Sequence, residues 1–193
     1  MLKMNDQDYI GKGIHRKCYV HPEDKRKCIK VVYFDHDKEG LREEAYYRHL
    51  EKRSISWEMI PKFYGEVDTD LGKGAVFDLV CDHDGTPAKN LLHFLNLDDL
   101  SNRDIAALQA ALSRLKDYMI KQRVFTREID PRNIPCSVLG SGEFHLYLVD
   151  NLDNTDAIPV ANYIPLLARK KVERKWKRFV HKMRTQFPQS KLF

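Results

Sequence analysis

Apolar and polar residues alternate in short runs through the first third of the chain, and the spacing then lengthens to three and four. Residues 28–34 are apolar except for Lys30, a pattern that predicts a strand buried on both faces. Before it, Tyr9-Ile10 leads into the glycine turn Gly11-Lys12-Gly13, and Cys18-Tyr19-Val20 alternates with charged positions. His21-Pro22-Glu23-Asp24 then turns the chain. Leu41, Ala45, Tyr46/Tyr47 and Leu50 recur at helical spacing and predict a helix over residues 38–53. A strand opening at Ile60, a hairpin turn at Gly72-Lys73-Gly74 and a strand over residues 75–81 with Asp78 embedded complete this part.

Beyond Asp82-His83-Asp84-Gly85 the texture is helical. Leu91, Leu92, Phe94, Leu95 and Leu97 predict a short helix. Ser101-Asn102-Arg103-Asp104 resembles a capping box. Ile105, Leu108, Leu112, Leu115 and Met119 then form one stripe, which predicts a long core helix over residues 102–122. Short strands over 134–139 and 144–149, joined by Gly140-Ser141-Gly142, precede a last helix with Val172, Trp176, Phe179 and Met183 on one face. The expected class is α+β: a small β-rich N-terminal lobe with one helix (residues 1–82) and a helical C-terminal lobe (residues 83–193).

The net charge of +5 is unevenly spread. Residues 169–193 hold ten Lys/Arg against the single acid Glu173, so this tail carries +9 and the rest of the chain −4. The tail offers phosphate contacts of the kind that bind nucleic acid. The core spacing of Trp176, Phe179 and Met183 favours a packed terminal helix with a solvated basic face instead. No run approaches the roughly 20 apolar residues of a membrane span, and the first residues have no apolar signal core, so a cytoplasmic protein is expected. Cys18, Cys28, Cys81 and Cys136 lack paired metal-ligand spacing and read as free thiols.

The order of certain polar residues changes the picture. Gly11 and Gly13 would let backbone N–H groups approach a phosphate. Lys30, inside a buried strand, needs a counter-charge. Glu43 shares a helix face with Tyr47 and Leu50 and points toward the packed side; Glu44 shares its face with Arg48 and reads as an exposed ion pair. After the long helix comes Thr126-Arg127-Glu128-Ile129-Asp130-Pro131-Arg132-Asn133, and later Asp150-Asn151 closes an apolar run. This is the order in which a kinase-like site assembles: lysine on phosphate, helix acid on lysine, then an asparagine and an aspartate on a metal ion. The expected ligands are therefore ATP and Mg2+, with Asn133 and Asp150 as metal donors. Glu128 stands five residues before Asn133, where the pattern places a catalytic aspartate, and Asp130 is the second candidate base. Asp150-Asn151-Leu152 replaces D-F-G.

These residues also carry a resemblance. GKGIHRKCYV, REEAYYRHL, IPKFYGEVDTDLGKGAVFDLV, DPRNIPC, VDN and ERKWKRF make the chain similar to the bacterial YrbL family of PhoP regulatory network proteins, placed near the protein-kinase-like superfamily. The resemblance implies a two-lobed protein-kinase-like fold and a link to envelope or magnesium-stress regulation. Two functions stay open. One is an ATP- and Mg2+-dependent phosphotransferase acting on a small-molecule or protein hydroxyl. The other is a pseudokinase, a nucleotide-responsive binding module without catalysis, which the altered base and the missing D-F-G favour.

Overall fold

The structure is a computed structural model, and it describes all residues except 14, 34–37 and 157–159. Five strands form one antiparallel sheet in the order β1-β2-β3-β5-β4: β1 (Tyr9–Lys12), β2 (Arg16–Val20), β3 (Lys27–Val32), β4 (Phe63–Thr69) and β5 (Gly72–Asp78). Helix α1 (Lys38–Lys52) lies between β3 and β4 in sequence. Helices α2 (Leu91–Leu95), α3 (Asn102–Gln122) and α4 (Pro165–Gln186) follow, with a two-stranded hairpin of β6 (Cys136–Val138) and β7 (Phe144–Leu146) between α3 and α4. Among the described residues the protein is thus α+β, with a five-stranded antiparallel sheet, a small two-stranded one and four α-helices.

Strand β3 is covered on both faces, as its apolar run predicts. Ile29 and Val31 pack with Tyr19 and Val76 in a small cluster that Leu2 and Met4 help to cover. Cys28 belongs to the main core on the other face. That core runs without a break from Tyr46, Tyr47 and Leu50 of α1, through Phe77 of β5 and Leu108, Leu115 and Met119 of α3, to Leu146 of β7 and Phe179 of α4. Helix α3 starts where expected because Ser101 accepts from the Asp104 N–H, a cap worth about 1 kcal/mol. It stops at Arg123, whose left-handed backbone (φ 51°) lets its N–H bond back to Ile120 and Met119.

Several local expectations need correction. Gly11 is not in a turn: it sits inside β1, opposite Cys18. The second hairpin turns at Asp70-Leu71, with Thr69 paired to Gly72, so Gly72 (φ 119°) ends the turn and Gly74 lies within β5. Gly74 is needed for close packing, since a Cβ there would come 2.6 Å from Ile29 Cγ2. On α1, Leu41 and Ala45 face solvent, and Glu43 and Glu44 are buried with Tyr46, Tyr47 and Leu50. Periodicity located the helix and placed Glu43 inward, but it misplaced Leu41, Ala45 and Glu44, the last drawn in by Arg16 of the sheet. The hairpin strands are shorter than predicted, three residues each. Phe34, the expected end of β3, lies outside the described residues.

Candidate functional site

Three residues far apart in sequence meet on one face of the sheet, at its central strand β3. Lys30, on β3, donates to Asp150 Oδ1. Its ammonium is 4.0 Å from Glu43 Oε2 of α1 and 4.5 Å from the centroid of the Phe77 ring on β5. The lysine side chain is 12% exposed, whereas Asp150 is 46% exposed, so the aspartate faces open solvent. Burial would lower the Lys30 pKa, but Asp150 and Glu43 outweigh it and hold the pKa well above the usual lysine value. Glu43 moves the other way from a normal carboxylate. Burial raises its pKa, and Lys30 and Arg16 only partly offset that. Its Oε1 is buried and has no hydrogen-bond partner among the described residues.

Arg16 also belongs to the site. From β2 it reaches Glu44 at 2.9 Å and Glu43 at 3.7 Å. Glu44, expected to be exposed, is 4% exposed and keeps its helix neighbour Arg48 at 3.9 Å. The signal was a register one: Cys18 pairs with Lys30 and Arg16 with Val32, which puts Arg16 and Lys30 on the same face of adjacent strands. A cation on β2 two residues from Lys30's cross-strand neighbour was therefore predictable once the pairing was known.

Asp150 is presented by an unusual turn. Asp150 and Asn151 both adopt left-handed backbone, with φ of 57° and 55°, a conformation Asp and Asn tolerate better than most residues. The surroundings hold it. Arg127 N–H and Thr126 Oγ1 both donate to the Asn151 carbonyl, at 2.8 and 3.0 Å. The Val149 N–H donates to the Asn133 carbonyl at 3.0 Å, which makes Asn133 the cross-chain neighbour of the turn that carries Asp150. Among the described residues there is no group of three or more His, Cys, Asp or Glu that would cage a metal ion.

The two candidate bases, Glu128 and Asp130, are both engaged in ion pairs. Glu128 is 61% exposed and bonded to Lys182 of α4 at 2.7 Å. Such an exposed pair is worth only about 0–1 kcal/mol. Asp130 is buried and grips Arg132 through two side-chain bonds, at 2.9 and 2.8 Å. Arg132, together with its own backbone N–H, holds the Asp130 carboxyl below the usual range. Gly13 forms the tip side of the β1–β2 hairpin, its N–H bonded to the Arg16 carbonyl at 2.8 Å and its carbonyl accepting from the Tyr33 hydroxyl. Gly11 lies inside β1, and a Cβ there would meet nothing within 4 Å.

The basic face of α4 is not simply solvated. Lys171 is buried, paired with Asp156 at 2.7 Å and lying on the Phe125 ring. Lys175 donates to the Arg127 carbonyl at 2.6 Å. Helix α4 therefore braces the segment that carries Glu128. The sequence reading expected a solvated basic face because these contacts are made outside the helix, to Asp156, Phe125 and Arg127.

Residues 2–184 match the family described as PhoP regulatory network protein YrbL. The chain belongs to that family. It is also 39% identical over 183 residues to the uncharacterized protein YrbL of Escherichia coli (strain K12), covering 93% of this chain and 87% of the relative. The uncharacterized protein YrbL of Shigella flexneri matches to the same extent. The family supplies a regulatory name, and among the described residues no helix is long and apolar enough to cross a membrane.

Proposed function

We propose that this YrbL-family protein binds ATP with Mg2+ in the cleft of a two-lobed, kinase-like fold, with residues 1–82 as one lobe and 83–193 as the other. The observation that carries the reading is the convergence of Lys30, Glu43 and Asp150, 120 positions apart at the extremes. A strand lysine bonded to a half-exposed aspartate and backed by a buried helix acid has few purely structural uses. On this reading Lys30 anchors phosphate, Glu43, itself paired with Arg16, holds Lys30 in line, and Gly11 and Gly13 give the hairpin close approach to the ligand. Asp150 and Asn133 hold the cation. Bound Mg2+–ATP supplies a phosphoryl group with its charge neutralised. Lys30 and Asp150 neutralise each other without ligand and separate to serve phosphate and cation when it arrives.

In the phosphotransferase form of this reading, Glu128 or Asp130 orients the acceptor hydroxyl. The bonds Lys182–Glu128 and Arg132–Asp130 favour a second form, in which nucleotide binding alone shifts the population of a partner-binding state. A cytoplasmic, regulatory setting fits both. The test is thermal unfolding with ATP, with and without Mg2+, on the wild type, Lys30→Met and Asp150→Asn. A ligand that binds only the folded state raises Tm, by a free energy of about 2.7 kcal/mol at a hundred times Kd. A Mg2+-dependent rise in the wild type that both substitutions abolish supports the reading. The same rise in all three proteins would sink it.

A further inference from the structure

A cleft of about 290 Å³ opens between α4 and the segment that carries Glu128, lined by Arg127, Glu128, Lys175, Arg178, Phe179 and Lys182. Four of these are cations and one is an acid. Arg127 reaches Glu39 at 2.6 Å, Lys182 holds Glu128, and Lys175 spends its bond on a neutral carbonyl. Arg178 is exposed and has no ion-pair partner among the described residues. Burial lowers the Lys175 pKa, and the nearby cations Lys171, Arg174 and Arg178 lower it further. The cleft is a partly desolvated place with unanswered positive charge, which is where an anion lowers the energy most.

Its size decides between ligands. A volume of about 290 Å³ lies at the small end of small-molecule pockets, which run from roughly 300 to 1,000 Å³. Phe179, with Ile129 beside it, gives an apolar wall that a carbon skeleton needs and a bare ion does not. Arg and Lys side chains together match the oxygens of a phosphate group.

We propose that this cleft binds the phosphate group of a small phosphorylated molecule, and that its arrival at Arg178 and Lys182 releases Glu128 from Lys182. Its use as the acceptor subsite rests on the nucleotide reading above; its existence as a phosphate site does not. The exposed Lys182–Glu128 pair is weak enough for a doubly charged phosphate to displace it. The freed carboxylate then stands beside the bound molecule, where it can accept a hydrogen bond from that molecule's hydroxyl.

The test is calorimetric titration of the full chain with inorganic phosphate at constant ionic strength and without nucleotide. Four proteins are compared: wild type, Arg178→Glu, Lys177→Glu and Lys30→Met. Lys177 is exposed on the same helix but does not line the cleft, so its reversal controls for general charge. The expected result is saturable binding by the wild type, weakened at least tenfold by Arg178→Glu and less than threefold by the other two. Absence of saturable binding to the wild type overturns the proposal. Equal weakening by Lys177→Glu and Arg178→Glu, or loss in Lys30→Met alone, overturns it too. ATP titration of Arg178→Glu separates the readings, since that variant keeps nucleotide binding if the two sites are distinct.

Discussion

Replacing Lys30 by Met and Asp150 by Asn, singly and together, measures the contact on which the site depends. Two unit charges 4 Å apart attract by about 4 kcal/mol at an effective dielectric of 20. The pair is closer to water than that figure assumes, because Asp150 is 46% exposed while Lys30 is 12% exposed. Solvent screening brings the expected coupling to about 1–2 kcal/mol, above the range of exposed surface pairs. Lys30→Met also strips a partner from buried Glu43, which keeps Arg16 at 3.7 Å. That variant should therefore lose more, about 2 kcal/mol, than Asp150→Asn, about 1 kcal/mol. For a chain of this length each kcal/mol lowers Tm by about 2–4 °C. Urea unfolding of the four proteins at neutral pH gives the cycle. Purely additive losses, with a coupling under about 0.3 kcal/mol, would refute the argument that the two charges meet in solution.

Other consequences are as direct. The raised Glu43 pKa means the folded state takes up its proton at a higher pH than the unfolded chain does, so this group's stability cost is full at neutral pH and fades as pH falls through its folded pKa toward the ordinary glutamate value. The stability of the wild type relative to Glu43→Gln should rise as pH falls through that window; a flat or falling difference in denaturant titrations at several pH values would contradict it. Asp130 has the opposite sign: its depressed pKa gives stability that is present above the ordinary aspartate value and lost as pH falls through its folded pKa, and Asp130→Asn should remove that acid-range loss in the same titrations. Gly74→Ala should cost about 1–3 kcal/mol in urea unfolding, because the new methyl meets Ile29 at 2.6 Å; an unchanged midpoint would show that β3 and β5 are more loosely packed than described. Ser101→Ala should cost about 1 kcal/mol through loss of the α3 cap, and Ser101→Asp, which restores a cap, should recover most of it.

The parts that were legible in the sequence are those fixed by local rules. Helix α3 was readable because its stripe lies within its own 21 residues and its cap, Ser101, stands immediately before them. The double-sided burial of β3 was readable for the same reason. The inner face of α1 was only half readable. Glu43 follows from its spacing to Tyr47 and Leu50, but Glu44 is pulled inward by Arg16, 28 positions away on another strand, and helical periodicity carries no information about that. Gly11 and Gly74 were read as turn residues because glycine marks both turns and tight strand packing. The bracing of the Glu128 segment by Lys175 and Lys182 depends on how α4 crosses the rest of the molecule, so a basic run looked like a solvated face.

The nucleotide account is tested most directly by equilibrium titration of ATP into the wild type and Asp150→Asn, each with and without Mg2+. The prediction is that Mg2+ tightens ATP binding at least tenfold in the wild type and leaves Asp150→Asn nearly unchanged. ATP binding that is absent from the wild type, or equally sensitive to Mg2+ in both proteins, would contradict the claim that Lys30 and Asp150 form a phosphate and cation site.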